Sequence, residues 1–155
     1  MTSIRPYHPE DIQAVYQLFY HSVHEVAKKD YNAQQLAAWA KPQRNPQRWD
    51  VELLEQRVWV AETAGEISGF ITLRPEDGYL DFLYVHHLHQ GKGIATLLLQ
   101  ALETEAGALD IHQLTTDSSL TARPFFLSKG FSLVAENIKT VDGVEFVNSR
   151  LAKQF

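Results

Sequence analysis

Residues Phe82 to Ala106 read FLYVHHLHQGKGIATLLLQALETEA, and the junction inside this stretch decides the fold. An apolar run gives way to a loop, two glycines flank Lys92, and an amphipathic segment follows at once. With the residues before it, the run is YLDFLYV at 79–85, apolar almost without a break, as a strand covered on both faces is. After Gly93, the residues Ile94, Leu97, Leu98, Ala101 and Leu102 recur at helical spacing toward Gly107, which predicts a helix. A strand, a bare turn and a helix joined this tightly aim unpaired amides and the positive end of a dipole at one point. Glycines there let an anion approach without a Cβ in the way.

Working outward, RVWVAET (57–63) and ISGFITLRP (67–75) alternate around the AGE turn and predict a hairpin beside 79–85. Upstream, a short strand over Thr2 to Arg5 precedes Pro9, Glu10 and Asp11, a helix start. Ile12, Val15, Tyr16, Phe19, Tyr20, Val23, Val26 and Ala27 then keep helical spacing, predicting a helix over Pro9 to Lys28. Asn32 with Gln35 predicts a capping box and a short helix ending near Trp39 to Ala40, before KPQRNP; another helix is predicted from Pro46 to Glu55. Downstream come a strand over HQLTTDS (112–118), a short helix from Pro124 to Lys129 closed by Gly130, and two strands around the VDG turn within 131–152. The order is that of a mixed α/β sheet flanked by about four helices, and with no repeat or linker the 155 residues read as one domain.

The net charge of −5, with acids and bases interspersed, marks no surface for nucleic acid or anionic lipid. No window approaches the ~18 apolar residues of a membrane span, so a cytoplasmic protein is the expectation. Zero cysteines exclude disulfides, thiolate metal sites and a cysteine nucleophile. His86, His87 and His89 crowd one loop, but their adjacency lacks the spacing that turns several rings on one ion, and no metal is expected.

For QGKGIAT, a Walker loop fails because Lys92 is followed by Gly93. A dinucleotide fingerprint has Gly91 and Gly93 after a strand, with Asp117 further on, but Thr96 stands at the third glycine and too little chain follows. A plain strand-to-helix connection, with Lys92 merely solvated, is the bland alternative. Gln90-Gly91-Lys92-Gly93-Ile94-Ala95, however, resembles the Gln/Arg-x-x-Gly-x-Gly/Ala signature of the GNAT superfamily of acyl-CoA-dependent N-acyltransferases. SLTARPFFLSKGF (119–131) is similar to the family's Asn-x-x-Ala-x-x-Phe-Tyr-x-x-x-Gly-Phe segment, and the likeness covers essentially the whole chain.

The resemblance implies a central mixed sheet in which the strands ending at Val85 and near Ser118 run parallel and splay apart. Acetyl-CoA would enter the splay along Leu83, Tyr84 and Val85, with its pantetheine adding hydrogen bonds to the edge at Leu83 and Val85. Its pyrophosphate would rest on the amides of Gly91, Lys92, Gly93, Ile94, Ala95 and Thr96, within reach of Gln90. Ser119, Ala122, Phe126 and Lys129 would complete the cofactor site. Ser119 stands where the family often has Asn. Phe126 replaces the tyrosine that commonly protonates the departing thiolate, which a thiol of pKa about 8.5 tolerates.

Acetyl transfer to an amine needs a base, since an alkyl amine of pKa near 10.4 is protonated about a thousandfold over at pH 7. An N–H near Leu83 could polarise the thioester carbonyl. Asp81, expected to share a face with Leu83 and Val85, and Asp117, at the end of the neighbouring strand, are the candidate catalytic carboxylates. Either could instead only accept hydrogen bonds from loop amides or an arginine. His24, Tyr31 and Trp39 are candidates for the acceptor pocket. The expectation is direct acetyl transfer to the amine of a small molecule without an acyl-enzyme; a non-catalytic acyl-CoA-binding module and a protein lysine or N-terminal acetyltransferase are the rivals. A homodimer through the C-terminal strands stays open.

Overall fold

Asn32 accepts from the Gln35 N–H at 2.8 Å and Gln35 Oε1 accepts from the Asn32 N–H at 3.0 Å, so the predicted capping box opens a helix at Ala33–Trp39 (α2). The computed structural model describes residues 1–41 and 46–155, side chains of 46–48 excepted. The predicted loop KPQRNP falls mostly outside these residues. The first helix (α1, Ile12–Val26) is extended by 3₁₀ turns at Pro9–Asp11 and Ala27–Lys29, together spanning the predicted segment. Its apolar stripe is buried at Val15, Tyr16, Phe19 and Val23. The remaining helices among the described residues are α3 (Pro46–Leu54), α4 (Ile94–Ala108) and α5 (Arg123–Ser128), each at a predicted position. No described helix is long and apolar enough to cross a membrane.

Among the described residues seven strands form one sheet: β1 (Thr2–Pro6), β2 (Arg57–Thr63), β3 (Glu66–Arg74), β4 (Tyr79–Val85), β5 (Gln113–Ser118), β6 (Ser132–Val141) and β7 (Val144–Gln154). Their spatial order is β1-β2-β3-β4-β5-β7-β6, antiparallel except between β4 and β5. Each sheet face has its own core. On one, Val15 and Phe19 of α1 pack with Trp49 and Phe70; on the other, Ile94, Leu98 and Leu102 of α4 pack with Leu73, Leu114 and Leu151. Leu97, expected on the buried face of α4, is 38% exposed. At 100° per residue the stripe through 94, 98, 99, 102 and 106 leaves position 97 well to one side.

Asp11 fixes the entry of the chain into α1. It accepts from the His8 N–H at 2.8 Å and takes both ends of the Arg5 guanidinium at 2.8 and 2.9 Å. The Arg5 hydrogen bond holds its carboxyl below the usual carboxylate range despite burial. A lowered folded value means stability that is complete above the unfolded value, near pH 4, and lost as pH falls through the folded one. Asp11→Asn should therefore cost about 1–3 kcal/mol at pH 7, with the gap to the parent closing at low pH. Urea unfolding at pH 7 and pH 3 measures this, and a pH-independent gap would refute it.

Candidate active site

The β4–β5 ladder has a single register pair, Tyr79 with Thr115. The Thr115 N–H donates to the Gly78 carbonyl at 3.0 Å, and Thr116 Oγ1 donates to the Leu80 carbonyl at 2.8 Å. Beyond Leu80 the strands pair no further, so the parallel strands splay as the resemblance implied. Along β4 the His86 N–H donates to Ser68 of β3 at 2.8 Å and the Phe82 N–H to Thr72 Oγ1 at 2.9 Å. Even-numbered residues thus turn their backbone toward β3, and by alternation Leu83 and Val85 turn theirs into the splay. The Val85 carbonyl accepts there from Ser22 Oγ and from Gln90 Nε2, both at 2.8 Å. Tyr84 differs from its neighbours: its backbone belongs to the β3 ladder and its ring to the α1 face.

A register shift in β3–β4 sets Ile71 opposite Leu83 but Leu73 opposite Leu80, so Asp81 and Phe82 together face Thr72. This bulge interrupts the alternation. Leu80 and Leu83, three apart, both join the α4-side core, while Phe82 and Tyr84 join the α1 side. Asp81, next to Leu80, turns away from that core, and Asp81 Oδ2 accepts from Gln56 Nε2, just beyond α3, at 2.9 Å. The expectation that Asp81 shares a face with Leu83 and Val85 is corrected: the carboxylate lies on the opposite, α1, side.

At the start of α4, Gly91 and Gly93 have φ of +74° and +78°, and a Cβ at either would meet nothing within 4 Å. The first intrahelical bond runs from Leu97 N–H to the Gly93 carbonyl at 3.1 Å, leaving the amides before it without helical partners. Ile94, Ala95 and Thr96 line the cavity below; Lys92 is exposed and outside its lining. Gln90, expected at the pyrophosphate, points its amide at the Val85 carbonyl.

A cavity of about 1170 Å³ joins these parts, running from the glycine turn through the splay to α1 and α2. Asp81 and Asp117 both line it. Asp117 is clamped by Arg150, Nε to Oδ1 at 2.7 Å and Nη2 to Oδ2 at 2.9 Å, and accepts the Tyr79 hydroxyl at 2.9 Å. The Arg74 and Arg150 guanidiniums lie 4.6 and 5.8 Å from the Tyr79 ring centroid. Burial, then the Asp117 hydrogen bond, pushes the Tyr79 phenol up. Asp81 has no salt bridge among the described residues.

Opposite the splay the wall is aromatic. Trp39 lies 5.2 Å from Tyr31, 6.4 Å from Phe146 and 6.5 Å from Tyr84, and Tyr84 lies 5.0 Å from Phe19. The Tyr31 hydroxyl accepts from the Leu120 N–H at 2.9 Å, tying α2's approach to the loop after β5. Burial pushes the Tyr84 phenol up, so it stays a donor. His24 is outside the lining: its ring lies tilted 4.3 Å from Tyr20 one turn earlier in α1, and its Nε2 contacts the Ala40 carbonyl at 2.9 Å, which fastens the end of α2 to α1.

Ser119, Ala122 and Phe126 line the cavity. Ser119 Oγ accepts from the Ala122 N–H at 3.1 Å. Phe126 is 2% exposed, packed on Phe125 and Phe131. Lys129 lies outside the lining, 5.7 Å from the Phe125 ring centroid. In the histidine loop His86 Nδ1 accepts from the Leu88 N–H at 3.1 Å, and burial lowers the His86 pKa, aided by His87 and His89. Among the described residues no cluster of three or more His, Cys, Asp or Glu is placed to hold a metal ion.

Sequence reasoning missed Phe19, Ser22, Phe146 and Asn148 in the lining, and Arg150 behind it. The helical stripe of α1 signals Phe19 as core, but nothing local marks Arg150 as the partner of a residue 33 positions away. An open strand edge meeting a helix start where glycines leave space for an anion fits an elongated acyl-CoA. Residues 27–153 match the family described as Acetyltransferase (GNAT) domain. The chain is 36% identical over 145 residues to the uncharacterized N-acetyltransferase YafP of Escherichia coli K12, covering 94% of this chain and 91% of that one. A GCN5-related N-acetyltransferase structure from Rhodopseudomonas palustris superposes with a TM-score of 0.95 at 31% identity, covering 100% of this chain and 96% of that one. The PaiA N-acetyltransferase of Thermoplasma acidophilum, solved in complex with coenzyme A, shares the fold with a TM-score of 0.80 at 17% identity, covering 100% and 99%. The chain belongs to the GNAT family of acetyl-CoA-dependent N-acetyltransferases.

Proposed function

We propose that the enzyme acetylates the primary amine of a small molecule by direct attack, with no acyl-enzyme. The observation that carries this reading is one cavity uniting the open edge of β4, the glycine start of α4 and Asp81, a carboxylate without a salt bridge among the described residues. Acetyl-CoA supplies the acetyl group as a thioester. The chain's part is to hold it along Leu83 and Val85, to receive its pyrophosphate on the amides of Gly91 to Thr96, and to direct the Leu83 N–H at the thioester carbonyl. Asp81 takes the amine's proton, directly or through one water. Asp117, its oxygens engaged by Arg150 and Tyr79, holds β5 against β4 and β7 as a positioning residue. The thiolate leaves unaided by Phe126, whose ring has no proton to give.

A walled cavity suits a small acceptor better than a protein surface. Phe126 is the observation that favours a non-catalytic acyl-CoA-binding module. Thiol release from acetyl-CoA with polyamines, aminoglycosides, amino acids, arylamines and lysine peptides decides between them, with no thiol background from a chain lacking cysteine. Release with at least one small amine is the expected result. Silence across the panel alongside demonstrated acetyl-CoA binding would overturn it in favour of the module.

A further inference from the structure

We infer that the acceptor amine is carried on a compact, flat, apolar body, an arylalkylamine, rather than on a polycation, a sugar or a protein; this rests on the small-molecule reading above. The acceptor half of the cavity is walled by rings from four separate elements: Phe19 of α1, Trp39 of α2, Phe82 and Tyr84 of β4, and Phe146 of β7. Trp39, Phe82 and Tyr84 are only half-buried and all three line the cavity. Apolar ring surface left open inside a cavity favours an apolar occupant, and ring-on-ring contact adds to burial.

The charges narrow the class further. Asp117 is neutralised by Arg150, so Asp81 can serve one ammonium. The other charged groups in the lining are Lys41, which is paired with Asp142, and the exposed Lys139. A second buried ammonium on a polyamine or aminoglycoside would find no free carboxylate in this lining and the cation of Lys139 beside it. Asn148 lines the same cavity, and its buried amide oxygen has no partner among the described residues. It can accept from a ring hydroxyl or a ring N–H, so a phenolic arylalkylamine should surpass its unsubstituted parent.

The test compares 2-phenylethylamine, tyramine, n-hexylamine and spermidine as acceptors, with Trp39→Leu assayed beside the parent. The expected kcat/KM order is tyramine, then 2-phenylethylamine, then hexylamine lower by roughly tenfold, the worth of one or two ring contacts, with spermidine last. Trp39→Leu should remove about tenfold from the aryl substrates while the acetyl-CoA Kd stays within about twofold. Hexylamine or spermidine acetylated as well as the aryl amines would overturn the inference and leave the acetyltransferase reading intact. If no amine is acetylated, that reading fails, and calorimetry on the coenzyme A complex decides here. Aryl amines binding about tenfold tighter than hexylamine would support the pocket assignment, and equal binding would overturn it.

Discussion

Gly93→Val should weaken acetyl-CoA binding by at least about thirtyfold, roughly 2 kcal/mol, while Gly65→Val leaves it unchanged. The two glycines make a matched pair: φ is +78° at Gly93 and +80° at Gly65, and a Cβ at either would meet nothing within 4 Å. Valine in a left-handed conformation costs on the order of 1–3 kcal/mol at both positions, so both variants should lose similar thermal stability. Only Gly93 sits at the start of α4, where the side chain would occupy the space a pyrophosphate needs above the unpaired amides. Calorimetric titration of acetyl-CoA into the parent and both variants reads the difference. Affinity unchanged from the parent in both variants would remove the helix start from the cofactor site. Equal loss in both would show that strain, not position, is responsible.

The scaffold was readable because its elements carry their signals locally. The capping box at Asn32, the stripe of α1 and the hairpin of β2 and β3 each depend on neighbours within a turn or a strand, and each forms where predicted. What escaped depends on pairing between elements. The face of Asp81 follows from a bulge that exists only because Leu73 aligns with Leu80 while Ile71 aligns with Leu83, a register no single strand encodes. For Asp117 the sequence left both a catalytic role and an arginine partner open, and only β7, returning between β5 and β6, names that partner by bringing Arg150 across from it. Of the predicted aromatic pocket, Tyr31 and Trp39 are in the lining, but Phe146, which completes their wall, arrives on the far strand of the C-terminal hairpin. His24 shows the opposite error: a ring on the correct helix, turned to a backbone carbonyl beside the cavity rather than into it.

Asp81→Asn should lower kcat by about 10²–10³ at pH 7, within the usual contribution of a positioned base, and leave the acetyl-CoA Kd within about twofold. Asparagine keeps the shape and can still accept from Gln56 Nε2, so the site should keep its form while losing its proton acceptor. The pH dependence separates a catalytic role from a structural one. An alkyl amine is protonated about a thousandfold over at pH 7 but approaches half deprotonation near pH 10.4. Without a base the variant depends on the amine losing its own proton in solution, so its rate should climb about tenfold per pH unit up to that range. The parent, which takes the proton in the site, should rise less steeply, and the deficit should shrink as pH rises. Asp117→Asn should behave otherwise. It leaves Arg150 with a neutral partner, which lowers stability by about 1–2 kcal/mol and slows turnover by less than tenfold, with no alkaline recovery. If Asp117→Asn shows the large, alkaline-rescued loss and Asp81→Asn does not, the base is Asp117. Unchanged turnover in both variants would mean that neither carboxylate moves the proton.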